Sequence, residues 1–350
     1  MVRRLAAPLL LAFATTAHAW SGAGHQTVGT LTEQLLQGTP AAQHVARLLG
    51  DGVTLAQASV WLDCARGIDP ARGFDYTTRG RYAECAPFET DAGIAQLRAF
   101  VQRNHRQCQP APGAEDCHRG YHYANLAYQR SRYLPGSTGA RPDDIVGAAA
   151  AAIAVLRGQP APAPFGFESP RDALLVIAHL VGDMHQPMHI GSVYLDAQGQ
   201  PVDPDKTGLD PATFTRGSNQ IVIPARPPTG AAGLQAVAAG WRMPNLHGIW
   251  DGVPASLTPA GIDAAWLRAA RQVPVTPGDM AGWPARWSSE TLDQARPALH
   301  DLAFGPRQGE IWTVKLPPDY EARMATIKRR QLTLAAARLA QILRATLGAP

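Results

Sequence analysis

The stretch Ala178-His-Leu-Val-Gly-Asp-Met-His-Gln-Pro-Met-His189 constrains this chain more than any other. Ser169 can cap a helix there and Pro170 suits its first position. The run from Ala173 to Val181 is apolar enough to be buried, and Pro187 predicts the helix stop, with His189 just beyond it. His179 and Asp183 are four residues apart, so a helix brings both to one face. Burying an imidazole and a carboxylate without partners costs several kcal/mol. Two explanations fit: a salt-bridged core pair, or ligands to a metal ion.

Other residues break apolar surroundings in the same way. His25, Asp63, His122, His189, His247 and Asp251 all do so, and His247 and Asp251 repeat the His-x-x-x-Asp spacing. Mixed His/Asp ligation without thiolate suits zinc in a hydrolytic site that keeps an open position for water. No CxxC pair exists to support a thiolate site.

The first nineteen residues read as a cleaved signal peptide. Arg3 and Arg4 are its positive end, Leu5 to Phe13 its apolar core, and Ala17-His18-Ala19 its cleavage site. That run is too short to span a membrane, and no later run is long and apolar enough. The expected product is a secreted or periplasmic chain beginning at Trp20, with residues 20–350 as one domain. Cleavage would free the α-amino group of Trp20, and an amine with its own carbonyl oxygen can chelate a metal. Losing Arg3 and Arg4 takes 32 basic residues to 30 against 28 acidic, a net charge of +2. That is no basic nucleic-acid-binding composition, so affinity for a polyanion would need a local positive field, which bound cations supply.

Four cysteines in a secreted chain predict two disulfides. Three pairings are possible. A helix over Asp91 to His105, capped by Thr90, would be roughly 22 Å long. Cys85 and Cys108 flank its opposite ends, which favours Cys64–Cys85 with Cys108–Cys117.

Helical periodicity dominates the rest. It predicts helices through Val28, Leu31 and Leu35; from Pro40 to Leu49; from Thr54 through Trp61 and Asp63 to Arg66; and over 143–157, 260–272, 285–298 and 319–347. Gly158 to Glu168 reads as a connector within one domain. Residues 67–88 and 129–142 read as irregular. Residues 192–216 read as a long polar insertion too irregular for the core, of a kind that often borders a functional site. Gly217 to Ile223 is the only strand-like piece. The expected fold is all-α with one core.

Taken together, these motifs resemble the S1/P1 nuclease family, the zinc-dependent single-strand-specific nucleases with an N-terminal tryptophan. They are Trp20 with His25, Trp61-x-Asp63, His122-Tyr-x-Asn125, His179-x-x-x-Asp183-x-His-Gln-Pro-x-His189 and Asn245-Leu-His247-x-x-Trp-Asp251, in family order. The resemblance implies the multi-helix fold shared with zinc phospholipase C and a cleft holding three zinc ions. Asp63, His122 and His179 would hold one. Asp183 would bridge it to a second, held by Trp20 and His25. His189, His247 and Asp251 would hold the third. His185 is no ligand in this scheme and would pack or support. Asp63 would also orient the attacking water and Arg66 would bind phosphate. Tyr123, Asn125 and Asn219 would surround a nucleobase, as the family's equivalents do.

The implied reaction is phosphodiester hydrolysis of single-stranded DNA and RNA to 5′-phosphorylated products, with 3′-nucleotidase activity on mononucleotides, by a monomer. Ser21 and Ser218 stand where the family usually has Gly, and Asn125 where Asp is commoner. The 192–216 insertion separates His189 from Asn219 by more than in the fungal enzymes. Zinc-dependent phospholipase C is the alternative, but it usually carries Glu at the position of Asp251. A non-enzymatic metal-binding helical protein is the remaining reading.

Overall fold

The computed structural model describes residues 20–348 apart from 51, 111–114 and 226–242. The expected signal peptide, residues 1–19, lies outside the described residues. In chain order the helices are α1 (Gly22–Leu36), α2 (Pro40–Leu49), α3 (Leu55–Ala58), α4 (Trp61–Ala65), α5 (Asp91–Cys108), α6 (Cys117–Gly120), α7 (Ile145–Leu156) and α8 (Pro170–Met184). They continue with α9 (Pro187–Ile190), α10 (Pro204–Thr207), α11 (Leu246–Asp251), α12 (Ala264–Arg271), α13 (Trp283–Leu299) and α14 (Tyr320–Leu347). The sheets are minor and made of strands two to four residues long, beginning with the antiparallel pair β1 (Ile68–Asp69) and β2 (Asp75–Tyr76) inside the stretch expected to be irregular. The fold is therefore mostly helical, as the periodicity predicts.

Helix α8 is the axis. Every residue from Asp172 to Met184 is buried, because α1, α2, α7, α13 and α14 all pack against it. The Ala-rich α7 supplies small side chains on that contact, which lets two helices approach closely. Helix α14 is 28 residues long, about 42 Å, and crosses both α1 and α8. Leu332, Ala335, Leu339, Ile342 and Leu343 face the core, while Leu347 is only partly buried. Among the described residues nearly all the buried apolar side chains form one cluster.

The helix starts follow local chemistry. Thr39, Thr54, Thr90, Asp144, Ser169 and Asn245 each cap a helix with a side-chain oxygen, and Pro occupies the first position of α2, α8 and α9. Cys64 is bonded to Cys85 and Cys108 to Cys117, with Cα separations of 5.6 and 6.3 Å. Helix α5 does hold Cys85 and Cys108 apart.

Four expectations need correction. The helix expected from Thr54 to Arg66 is two helices, broken at Ser59 and Val60. The Ser59 carbonyl accepts a hydrogen bond from the ring of His179 at 2.7 Å, and its hydroxyl donates to the carbonyls of His25 and Ala56. Helix α8 stops at Met184, before Pro187; Gln186 is pushed to extended backbone by the proline that follows, and Pro187 opens α9. His189 thus lies inside a short helix. The 192–216 segment is not excluded from the core: Ser192 to Leu195 are buried, β4 (Gly191–Ser192) pairs in parallel with β3 (Leu126–Ala127), and β5 (Tyr194–Leu195) pairs with β6 (Pro201–Val202). Finally, Gly217 to Ile223 is not the only strand. It contributes β7 (Ile221–Val222), which pairs with β9 (Trp312–Lys315), itself paired with β8 (Ala303–Phe304).

Candidate metal centre

Helix α8 delivers His179 and Asp183 side by side, their Nε2 and Oδ2 3.0 Å apart. Helix α1 lays His25 against them: its ring stacks on that of His179 with centroids 3.9 Å apart, and its Nε2 lies 3.1 Å from Asp183 Oδ1. The segment after α6 brings His122, whose Nδ1 is 3.0 Å from Asp183 Oδ2 and from His179 Nε2. Helix α4 brings Asp63, with Oδ1 3.8 Å from His122 and 4.0 Å from His179. Helices α9 and α11 supply His189, His247 and Asp251. His189 Nε2 is 3.6 Å from Asp251 Oδ1, and His247 Nε2 is 3.4 Å from Asp251 Oδ2.

Three groups with spacings fit for a metal ion result: His25, His179 and Asp183; Asp63, His122 and His179; and His189, His247 and Asp251. All these residues are buried except Asp63, which is partly so. The two oxygens of Asp183 face different groups. Oδ2 looks toward His122 and His179, while Oδ1 looks toward His25 and, at 3.8 Å, His189. A carboxylate so placed can bridge two cations.

Hydrogen bonding prepares the imidazoles. His179, His189 and His247 each use Nδ1 to reach a backbone carbonyl, of Ser59, His122 and Gly217, at 2.6–2.7 Å. With the proton held there, Nε2 keeps a lone pair for the cleft. The protein alone leaves much of the site unsatisfied. His25 Nδ1 and Nε2, the Nε2 atoms of His122, His189 and His247, Asp63 Oδ1 and Asp183 Oδ1 are all buried without a hydrogen-bond partner. Each such atom costs about 1–3 kcal/mol. Concentrated imidazole and carboxylate donors of this kind are what a bound cation would satisfy, so the residues fit a metal.

Electrostatics point the same way. Burial pushes the Asp183 carboxyl up, but the rings of His179, His189 and His25 outweigh it and hold it well below the usual range. Burial is likewise overcome at Asp63, where His179, His122 and Arg66 bring it to about 2. Both stay ionised. Burial depresses His25, His247 and His122, the last to about 4, and so favours neutral, ligand-competent rings. At His179 and His189 burial loses to neighbouring carboxylates, chiefly Asp183, and His189 rises to about 9. Those carboxylates demand positive charge at the cleft, from a proton if not from a metal.

The remaining predicted residues border this centre unevenly. Arg66 places Nη1 3.6 Å from Asp63 Oδ1 and keeps its buried Nε without a partner. Tyr123 and Asn125 are partly exposed, whereas His122 and Ala124 between them are buried. The Tyr123 hydroxyl donates to Glu115. A Cβ at Gly217 would come 3.4 Å from Asn125 Oδ1 and 3.5 Å from His247 Nδ1, so the 217–219 loop adjoins both. Asn219 itself turns its amide to the Arg216 carbonyl at 2.8 Å, within its own loop. Ser218 adopts φ +70, which explains why glycine suits that position. Trp20 is fully buried, and its indole donates to the Gly182 carbonyl at 2.8 Å, one residue from Asp183.

His185 stands outside the three groups. Its Nδ1 donates to the Val181 carbonyl at 2.7 Å, and its Nε2 accepts from Arg338 at 2.8 Å, which braces α8 against α14. Gln186 has a role that its spacing does not announce. Its Nε2 donates to Asp251 Oδ1 at 2.7 Å while its Oε1 accepts from the Met188 N–H at 2.6 Å. The available signal was a glutamine set between Asp183 and His189 and directly before proline.

Gly182 allows a direct test of this packing. A Cβ there would lie 2.8 Å from His25 Nδ1 and 3.0 Å from Cε1. Gly182→Ala gains about 1 kcal/mol of helix propensity but displaces His25. Metal-free stability should stay nearly constant while metal affinity falls about tenfold or more. Calorimetry on the stripped and loaded protein would show it, and unchanged affinity would mean His25 is not held against a metal.

Imidazole and carboxylate donors in three adjoining groups that could each hold a metal ion are consistent with a metal-dependent enzyme. The S1/P1 nuclease family model matches residues 20–348, nearly the whole chain, and the protein belongs to that family. A comparison with curated proteins gives no match. Family membership makes it a nuclease with nucleic acid as substrate. Among the described residues, no helix is long and apolar enough to cross a membrane.

Proposed function

We propose that this chain is a secreted or periplasmic zinc nuclease and 3′-nucleotidase, monomeric, cutting single-stranded DNA and RNA to 5′-phosphorylated products. Residues 1–19 are its cleaved signal peptide, and the chain from Trp20 onward is its single catalytic domain. The two disulfides suit that oxidising location. The observation that carries the reading is Asp183, with one oxygen toward His122 and His179 and the other toward His25.

Asp63, His122 and His179 would hold one zinc ion, with Asp183 shared. Trp20, through its amine and carbonyl, and His25 would hold a second with Asp183. His189, His247 and Asp251 would hold the third. When bound, the ions would supply Lewis acidity and an activated water. Asp63, held ionised beside His122 and His179, would orient a water there. Arg66 keeps its free donors for phosphoryl oxygens, where charge develops. Tyr123 offers a ring face on which only an unpaired base can stack, worth about 1–3 kcal/mol per base. Asn125 and Asn219 contact the base edge.

The test is degradation of single-stranded DNA after chelation and again after zinc is restored. Activity should vanish and return, duplex DNA should be cut far more slowly, and phosphatidylcholine should be untouched. Cleavage of the phospholipid instead would reverse the assignment.

Tyr123→Ala gives a sharper check. It should lower kcat/KM on oligonucleotides about 10- to 100-fold, following the stacking energy. Bis(p-nitrophenyl) phosphate, which has no base, should be hydrolysed at nearly the original rate. Equal losses on both would assign Tyr123 to packing.

A further inference from the structure

Lys328, on α14, is the one buried lysine among the described residues, 2 % exposed, and its side chain reaches α11. Its ammonium donates to the Ile249 carbonyl at 2.6 Å and to the Gly252 carbonyl, and lies 5.7 Å from the centre of the Trp250 ring. Those carbonyls belong to the C-terminal end of α11, the short helix that carries His247 and Asp251. The last carbonyls of a helix have no partner within it. A glycine in left-handed backbone commonly meets that need, but Gly252 here is extended, with φ −63 and ψ 138, and its own N–H bonds back to Gly248. The cap comes instead from a side chain 76 residues along the chain. A buried ammonium is strongly disfavoured unless its surroundings offset desolvation. The negative end of a helix dipole, two carbonyls and the Asp251 carboxylate oppose that cost here, although burial still lowers the ammonium to about 8.

We infer that Lys328 is a positioning residue for the third metal group: by capping α11 it fixes His247 and Asp251 where they converge with His189. The inference rests on the reading that those three residues hold a zinc ion. Besides the Asn245 cap and the bond from His247 Nδ1 to the Gly217 carbonyl, further restraints on α11 act at different points. Trp250 Nε1 donates to the Tyr320 hydroxyl at 2.9 Å, the Ser21 N–H donates to the Asp251 carbonyl at 2.8 Å, and Gln186 holds the Asp251 carboxylate. Lys328 alone among these side chains carries positive charge, and this sets up opposed expectations. Direct repulsion between an ammonium and a metal cation would weaken binding. Positioning would strengthen it.

Lys328→Met removes the charge and the cap but keeps the apolar stem. Zinc titration of the stripped variant against a chelating dye, beside wild type and His247→Ala, reads the outcome. His247→Ala should lose one zinc ion of three and thereby mark the third group. Lys328→Met should bind that same ion at least tenfold more weakly, with the other two unchanged and the melting temperature of the stripped protein within a few degrees of wild type. If Lys328→Met does not fold, Lys328→Gln, which keeps one donor for one carbonyl, should show a smaller loss at the same ion. Unchanged or tighter binding while His247→Ala loses its ion would overturn the role of Lys328 alone. Retention of all zinc by His247→Ala would overturn the third group and the inference together.

Discussion

Asp183→Asn should almost abolish turnover. The substitution keeps the shape of the side chain and removes the charge that two metal groups share. Asp183 places its two oxygens within 3.0–3.1 Å of His122, His179 and His25, and the surrounding imidazoles keep it ionised. An amide has one carbonyl oxygen and an NH₂ group, so one side would present a donor to a cation. Zinc content should fall by at least one ion. The rate on single-stranded DNA should drop by about three orders of magnitude or more, on the order of 4 kcal/mol in the barrier. The variant should still fold, because the substitution keeps the size of one side chain and leaves the apolar packing of α8 from Ala173 to Val181 unchanged. Circular dichroism, metal analysis and single-turnover rates would establish this. Near-normal activity in a folded variant would sink the bridging assignment.

A single residue left in front of Trp20 should have an effect nearly as large. In an uncleaved chain the Trp20 nitrogen is an amide, planar with a delocalised lone pair, and ligates zinc poorly. Once freed it is an amine with a pKa of about 7.7–8.0 in model peptides, and zinc can displace its proton. The structure anchors this end firmly at the centre. The Trp20 indole is tied to Gly182 beside Asp183, and the Ser21 N–H to the Asp251 carbonyl. A protein beginning Met-Trp20 or Gly-Trp20 should fold, bind one zinc ion fewer and lose most activity. Removal of the signal peptide would then complete the active site, and its presence until export would keep the nuclease silent inside the cell that makes it. Full activity with the extra residue confirmed by mass spectrometry would refute both the ligand role and the activation.

The residues of the centre were legible because their chemistry is out of place locally. His179 and Asp183 interrupt an apolar helix, His247 and Asp251 repeat their spacing, and Asp63 follows Trp61 and Leu62. Helix starts were legible for a similar reason, since a cap is written within three residues of the helix it serves. Helix ends and breaks were not. The interruption at Ser59 serves a hydrogen bond to His179, 120 residues away, and no local propensity records it. Helix α8 ends three residues before the proline expected to stop it, because proline constrains the residue ahead of itself as well. The polar composition of 192–216 concealed the buried start that pairs with Leu126 and Ala127.

Composition and spacing by themselves thus determined the mainly helical class, favoured one of three disulfide pairings and singled out a roster of imidazoles and carboxylates. Only tertiary structure decided how that roster is deployed. It turned the two oxygens of Asp183 toward different groups and gave three imidazoles a carbonyl that orients each ring. It set Gln186 on Asp251, and Lys328 beneath the helix that carries His247. The physical reason is range. Propensity, capping and periodicity act over a turn of helix or less, whereas the direction of a lone pair depends on whichever distant backbone group the packed core brings to the other side of the ring.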